Sequence, residues 1–373
     1  MRQVFAFAFL LALPAATSAQ GAISNQGFGY PAGQLGGAAR GAGGSSAETD
    51  PSSPINPAAL TQSNRYSVVF QFEPEFRRTS IGGNSGTSRV VRFPAFSASG
   101  SYKRLSFGAS VSTFLDRTWE NQYSDSVMVD GTMTESAVFA KSDGAIGDAR
   151  LALAYVLHPK LQVGLGLHSF SGENRVSLAR LFPDSLGLLG VTQVSSVNYV
   201  GRAMSLGFVA HPVTGLVVSA STRFGGALMA EQLGAQVGEA KVPARFGVGV
   251  SWLALPGASI NARMDRTAWT DMDDLGSADL VTFDATEFGV GVDLLGPTIS
   301  GVNSVVRLGG RDRTLPFGVN GDQVIERAFS GGIGLPVGRG RAQLDIALER
   351  AARRGAGATE RAWFVSVGIG IRP

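Results

Sequence analysis

From about residue 65 onward, hydrophobic and polar residues alternate one by one along most of this chain. The last segment is the cleanest. In 361–372, Trp363, Val365, Val367, Ile369 and Ile371 fall in one phase, and Phe364, Ser366, Gly368 and Gly370 in the other. Successive side chains of a strand point to opposite faces, so a period of two predicts a strand with one apolar and one small or polar face. The pattern recurs in 244–252, where Ala244, Phe246, Val248, Val250 and Trp252 alternate with Arg245, Gly247, Gly249 and Ser251, and again in 161–168, 287–294 and 341–349. Carried along the chain, it predicts strands over 65–77, 89–102, 105–116, 146–157, 161–171, 197–210, 215–224, 241–254, 258–270, 284–295, 304–314, 324–335, 341–353 and 361–372. That is about fourteen, an even number, as a single-chain bacterial barrel requires. The predicted fold is all-β, a transmembrane antiparallel up-and-down β-barrel.

The connections alternate in length. Short ones lie at 103–104, 158–160, 211–214, 255–257 and 336–340, and long ones near 78–88, 117–145, 172–196, 225–240 and 271–283. Two depart mildly from the rule: 296–303 is long for an inner turn, and 354–360 is short for an outer loop. Outer-membrane barrels have short periplasmic turns and longer outer loops. A β-sandwich has no reason to alternate in this way.

Charge decides which face meets lipid. A Lys or Arg on the lipid face at mid-membrane costs about 2–4 kcal/mol. The apolar phase therefore faces lipid. Arg150, Arg223, Arg263, Asp265, Glu287, Asp293, Arg307, Arg311, Asp345 and Glu349 face the lumen. Both signs occur there, which suits either a network gripping something inside or contacts to a substrate head group. Many other inward positions are Gly, Ala or Ser and leave room.

Composition agrees. Hydrophobic residues make up 44% and charged residues 16% of the chain, with 50 Gly and no Cys. The charged share is below the usual ~25% of soluble proteins. Without Cys there are no disulfides and no thiol chemistry. The net charge of +3 is spread along the chain, and no basic patch with interleaved aromatics supports nucleic-acid binding. Residues 1–19 read as a secretory signal: Arg2, an apolar run from Val4 to Ala16, then Thr17-Ser18-Ala19. Residues 20–62 are rich in Gly, Ala, Ser and Pro and do not alternate, and 63–373 hold the barrel pattern.

The segment Gln34-Leu35-Gly36-Gly37-Ala38-Ala39-Arg40-Gly41-Ala42-Gly43-Gly44-Ser45-Ser46 leads to Asp50-Pro51 and then Asn56-Pro57-Ala58. This resembles the N-terminal region of the outer-membrane long-chain fatty-acid transporter family, the FadL/TodX-type hydrophobic-compound channels. Leu315-Pro316-Phe317, after Arg311-Asp312-Arg313, is a second point of resemblance. The resemblance implies a fourteen-stranded barrel with 20–62 folded inward as a plug. It further implies passive diffusion of fatty-acid-like or aromatic hydrocarbon molecules through the plugged lumen or sideways through the wall. Gly and Ala suit a chain threaded through a narrow barrel, and Asn56-Pro57 suits a turn where plug becomes strand. The outer loops are short for a fatty-acid importer. The loop predicted at 172–196 carries Leu178, Leu181, Phe182 and Leu186, which suit either ligand capture or a lid.

The expected partners are outer-membrane lipids, a hydrophobic small molecule and, during biogenesis, the barrel-assembly machinery, with the protein acting as a monomer in the outer membrane. No cofactor, metal or enzymatic chemistry is expected. His158, His168 and His211 are far apart in sequence, and no Ser/His/Asp set has a recognisable local context. Asp271, Asp273 and Asp274 read as a solvated outer-loop cluster. The alternatives are a non-transporting binding or secretion-shuttle barrel of the type IX kind, a structural barrel, or an open polar porin.

Overall fold

The computed structural model describes residues 28–371, apart from 64–65, 82, 130, 184–186, 276–280, 300, 320 and 339. The leader predicted over 1–19 lies outside the described residues. The alternating segments form strands, and these join in one antiparallel sheet of eighteen. They are β1 (Tyr30–Pro31), β2 (Ser67–Ile81), β3 (Asn84–Arg92), β4 (Ala95–Tyr102), β5 (Leu105–Asp116), β6 (Trp119–Val129), β7 (Thr132–His158), β8 (Leu161–Leu181), β9 (Val191–Ala210), β10 (Leu216–Gln232), β11 (Ala235–Lys241), β12 (Arg245–Leu255), β13 (Ala258–Thr267), β14 (Ala285–Ile299), β15 (Val302–Val319), β16 (Asp322–Val337), β17 (Ala342–Gly355) and β18 (Ala358–Ile371). β18 pairs with β2, Trp363 opposite Phe76 and Ile369 opposite Phe70, and this ladder closes the barrel. β3 and β4 form one crossing interrupted at Phe93-Pro94, while β1, β6 and β11 lie outside the set of crossings. The wall therefore has fourteen crossings.

The period-two faces are as charge required. Phe246, Val248, Val250 and Trp252 of β12 are exposed on the outside, as are Trp363 and Ile369 of β18. Their neighbours in the opposite phase point inward and are mostly buried. No helix among the described residues is long and apolar enough to cross a membrane.

Four of the predicted long loops are mainly strand. Residues 117–145 fold as β6 and the outer part of β7, paired from Trp119 opposite Ser142 to Val129 opposite Thr132. The predicted 225–240 loop is a hairpin of β10 with β11. At 78–88, β2 runs on to Ile81 and β3 begins at Asn84. In 172–196, β8 extends to Leu181 and β9 begins at Val191. The physical reason is common to all. Beyond the lipid both faces of a strand are wet, so nothing enforces apolar alternation, and the period-two signal fades although the ladder continues. Such hairpins still place their turns at one end of the barrel, opposite the short turns.

Inside the barrel, residues 28–62 form a largely buried plug. It contains β1, a short helix α1 (Gly37–Gly41) and a 3₁₀ helix (Pro57–Gln62). The plug fits because the wall facing it is glycine. A Cβ on Gly309 would lie 2.2 Å from the Ala42 carbonyl carbon, and one on Gly291 would lie 2.4 Å from its oxygen. Separations under about 3 Å do not occur between such atoms, so any side chain at these positions would displace the plug.

Candidate functional site

The plug is held by charge. Arg40 of α1 makes a two-pronged pair with Glu73 of β2, Nε to Oε2 at 2.9 Å and Nη2 to Oε1 at 2.8 Å, and reaches Glu349 of β17 at 3.6 Å. Glu48 accepts from Arg245 of β12 at 2.5 Å. Tyr30 donates to Glu326 of β16 at 2.8 Å and accepts from Arg313. Its ring also lies beneath the guanidinium groups of Arg92 and Arg353, at 4.7 and 4.4 Å. Burial raises the Tyr30 phenol above its ordinary value, against the pull of Arg313 and Arg353, so it remains a neutral donor.

Asn56-Pro57-Ala58 sits where the plug turns toward β2. The Asn56 side chain caps the 3₁₀ helix by accepting from the Ala58 N–H at 2.9 Å, and Pro57 occupies its first turn. The Asn56 amide donates to the carbonyls of Glu48 and Phe208, at 3.0 and 3.3 Å. Gly207 leaves the space for it: a Cβ there would lie 1.9 Å from Asn56 Oδ1.

The ten charged residues assigned to the lumen all point inward, and eight of them fall into three groups. Arg263 bridges Asp265 at 2.6 Å and Glu287 at 2.8 Å. Arg307 pairs with Asp345 at 2.8 Å and approaches Asp293 at 3.8 Å. Arg311 pairs with Glu349 at 2.7 Å and Glu326 at 3.0 Å. Arg150 and Arg223 stand apart and form no ion pair among the described residues. Sequence reading missed the centre of this network. Arg353 pairs with Glu75 at 2.8 Å, Glu326 at 2.6 Å and Glu360, all fully buried. The signal was present in β2, where Glu73, Glu75 and Arg77 share one phase.

Arg150 belongs to a second cluster. Asp148 accepts from His168 Nδ1 at 2.9 Å, and His168 Nε2 lies 2.8 Å from the Ser205 hydroxyl. An ionised carboxylate only accepts, so the imidazole proton sits on Nδ1 and Nε2 accepts from Ser205. No local pattern announces this set, because its members come from β7, β8 and β9 and meet only across the ladder. Gln34 of the plug, at a left-handed φ of 51°, donates to the same Asp148 at 2.9 Å and to Ser112 at 2.6 Å. Ser205 is 2% exposed, so the chain of bonds ties plug to wall. Beside it, Arg150 Nε and Nη1 are buried without a hydrogen-bond partner among the described residues.

The wall itself is interrupted. β3 pairs with β2, and β4 pairs with both β2 and β5, but no ladder joins β3 to β5 among the described residues. Pro94 lies at the break, where a residue without an N–H cannot continue a ladder. Above the break, the free edge of β5 takes the plug as its partner: Tyr30 lies opposite Asp116 and Pro31 opposite Leu115. One ion pair crosses the seam, Arg92 of β3 to Asp116 of β5 at 2.6 Å. Alternation fails here too, since Phe114, Leu115 and Asp116 are all buried.

Next to the seam lies an apolar cluster. Phe114 stacks on Trp269 at 5.1 Å between centroids, and Phe28 and Phe170 meet this pair edge-on. Trp269 and Met272 are the buried residues of a second 3₁₀ helix, Trp269–Leu275, which tucks into the outer mouth. The predicted 271–283 loop is thus partly helical. Asp271 accepts from the Ala244 N–H at 3.2 Å, and Asp273 accepts from Thr282. Below the cluster is a cavity of about 70 Å³, lined in part by Gln34, Phe114, Arg223 and Trp269. A cavity of about 150 Å³ holds benzene, so this cavity as it stands does not admit a ring. The apolar residues proposed for the outer loop lie elsewhere. Leu178 and Leu181 are in the outer extension of β8, with Leu178 paired to Ala140 and Gln193. Phe182 follows the strand and is half-buried. Leu186 lies outside the described residues.

Fold and site together define a plugged fourteen-crossing β-barrel with a lateral seam. No protein-family model matches the chain, and no curated protein matches its sequence. Solved structures do share the fold. A FadL homologue from Pseudomonas aeruginosa superposes with a TM-score of 0.66 at 12% identity, over 92% of this chain and 99% of that one. The Pseudomonas putida toluene transporter TodX gives 0.58 at 13%, over 91% and 98%. The Ralstonia pickettii toluene transporter TbuX gives 0.52 at 15%, over 91% and 98%. The fold of this chain is the FadL/TodX-type barrel.

Proposed function

We propose that this protein is an outer-membrane channel for hydrophobic or amphipathic small molecules, which cross by passive diffusion. The observation that carries the reading is the adjacency of the aromatic cluster to a seam in the wall. An apolar molecule arriving from the outer mouth would meet Phe28, Phe114, Phe170 and Trp269 first. It would then face a short plug ladder and one ion pair, Arg92 to Asp116, before the lipid. A lateral exit keeps an apolar molecule out of water. The toluene transporters that share the fold favour small aromatic cargo. Arg150, buried with two unpartnered nitrogens, offers the carboxylate of an amphipath a charge-assisted contact.

Uptake of toluene and of a long-chain fatty acid into liposomes carrying the folded protein tests this. The expected result is faster uptake than into empty liposomes, slowed when the seam is sealed by an engineered cross-link between β3 and β5. Uptake no faster than into empty liposomes for both compounds overturns it. Loss of fatty-acid uptake alone in Arg150→Met would assign the head-group contact. Secretion defects without an uptake defect would favour the shuttle reading.

A further inference from the structure

We propose that the inner end of the β4–β5–β7–β8 wall binds an anionic glycerophospholipid of the inner leaflet. Its phosphate would lie on Lys103, Arg104 and Lys160, and one acyl chain would lie in a groove of the lipid-facing wall. The groove is a concavity of about 710 Å³ on the outside of the barrel. Its floor is small, made by Ala98, Gly108 and Ala109, and its sides are Val68, Phe107, Leu151 and Leu167. The plug backs this floor, because Leu60 lies 3.1 Å from where a Gly108 Cβ would sit. Since about 150 Å³ accommodates benzene, the groove has room for an alkyl chain.

What stands at its inner end selects the occupant. Phe107 is three residues from Arg104, about 10 Å along a strand. Lys103 and Arg104 form the β4–β5 turn, and Lys160 lies in the β7–β8 turn. The turns are neighbours, because the Val156 N–H donates to the Arg104 carbonyl at 2.9 Å and the His211 N–H to the Lys160 carbonyl at 2.9 Å. All three cations are exposed and none makes an ion pair among the described residues. Lys103 rests over the Tyr102 ring at 5.3 Å, and Lys160 donates to the Pro212 carbonyl at 3.3 Å. Tyr66, Tyr102 and Tyr155 stand exposed at the same level, where aromatic side chains mark the head-group boundary. The inner turns among the described residues contain no Asp or Glu, whereas the outer β13–β14 connection carries Asp271, Asp273, Asp274 and Asp284. A basic, carboxylate-free rim above an apolar groove matches a lipid with a negative head and a hydrocarbon tail. Its unpaired phosphate charge also distinguishes that lipid from a zwitterionic one.

Native mass spectrometry of the folded barrel in detergent tests this. The probes are phosphatidylglycerol and phosphatidylcholine with identical acyl chains. Phosphatidylglycerol should be retained preferentially, by roughly fivefold for each basic side chain that contributes. The triple variant Lys103→Gln, Arg104→Gln, Lys160→Gln should lose the preference while still binding both lipids weakly. Ala109→Trp, or the milder Ala98→Leu if the first does not close its barrel, should lower retention of both. Equal retention of the two lipids by the unaltered protein overturns the proposal. So does a preference that survives the triple variant, or displacement of phospholipid by added lipopolysaccharide.

Discussion

Two sides of the same barrel hold the same plug differently. From β12 to β18, the plug meets Arg245, Arg263, Arg311, Arg313 and Arg353, with Glu326 and Glu349 between them, and almost every charge has two partners. From β3 to β5 it meets a two-residue ladder, one hydrogen bond from Gln34 to Ser112, and Arg92, whose guanidinium lies over Tyr30 and whose only ion pair across the seam among the described residues is with Asp116. A buried ion pair costs much to break because each charge left behind is unpaired and desolvated. The first side is therefore a fixed anchor, and the second is where the plug and wall separate with least loss.

Removing residues 28–62 should give the largest effect by abolishing the contrast altogether. The deletion should turn a non-conducting barrel into a steadily conducting one in planar bilayers; an unchanged current would mean that the wall alone closes the lumen. Next is Arg353→Met, which takes from Glu360 its one cation partner among the described residues and from Glu75 and Glu326 one of several, on the anchored side. It should cost about 3–5 kcal/mol in urea unfolding from detergent. On the seam side, Arg92→Ala should cost less, about 1.5–3 kcal/mol, and at the same time speed toluene uptake. If it slows uptake, the pair positions the seam and does not latch it. Gln34→Ala removes two hydrogen bonds but leaves the left-handed backbone, and a loss of about 1–2 kcal/mol is expected by the same measurement. Smallest is Arg327→Ala, which breaks an exposed pair with Asp312 on the outer surface and should change stability by less than about 1 kcal/mol.

Much of the barrel was legible because lipid on one side and a filled lumen on the other impose a strict period of two. β5 and β18 begin or end within a few residues of where alternation starts or stops. β6 and β11 were not legible, since water on both faces removes the constraint. The inward direction of the charged residues could be read from phase, but their pairing could not. Arg311 meets Glu326 and Glu349 because of register between strands, and register is fixed by the closed ladder rather than by any local spacing. The seam left a trace in Pro94 and in the consecutive apolar pair Phe114-Leu115. Taken alone, each resembles ordinary strand irregularity. Leu315-Pro316-Phe317 is a similar case: it lies in β15 across a register shift between Thr314 and Gly318, with Leu315 and Phe317 both buried.

The ladder of β18 with β2 has a consequence for biogenesis. It joins the first crossing to the last, Phe76 to Trp363, so it is the most distant pairing the chain makes in the wall. Contacts so far apart in sequence form slowly, and until they form both β2 and β18 present open edges that invite pairing with other chains. The plug precedes β2, yet Tyr30 finds Glu326 in β16. A chain halted before β18 would thus carry a stopper with part of its socket built and an unsealed wall around it. The fourteen residues of β18, Ala358–Ile371, decide whether the preceding strands become a barrel or an aggregation-prone sheet.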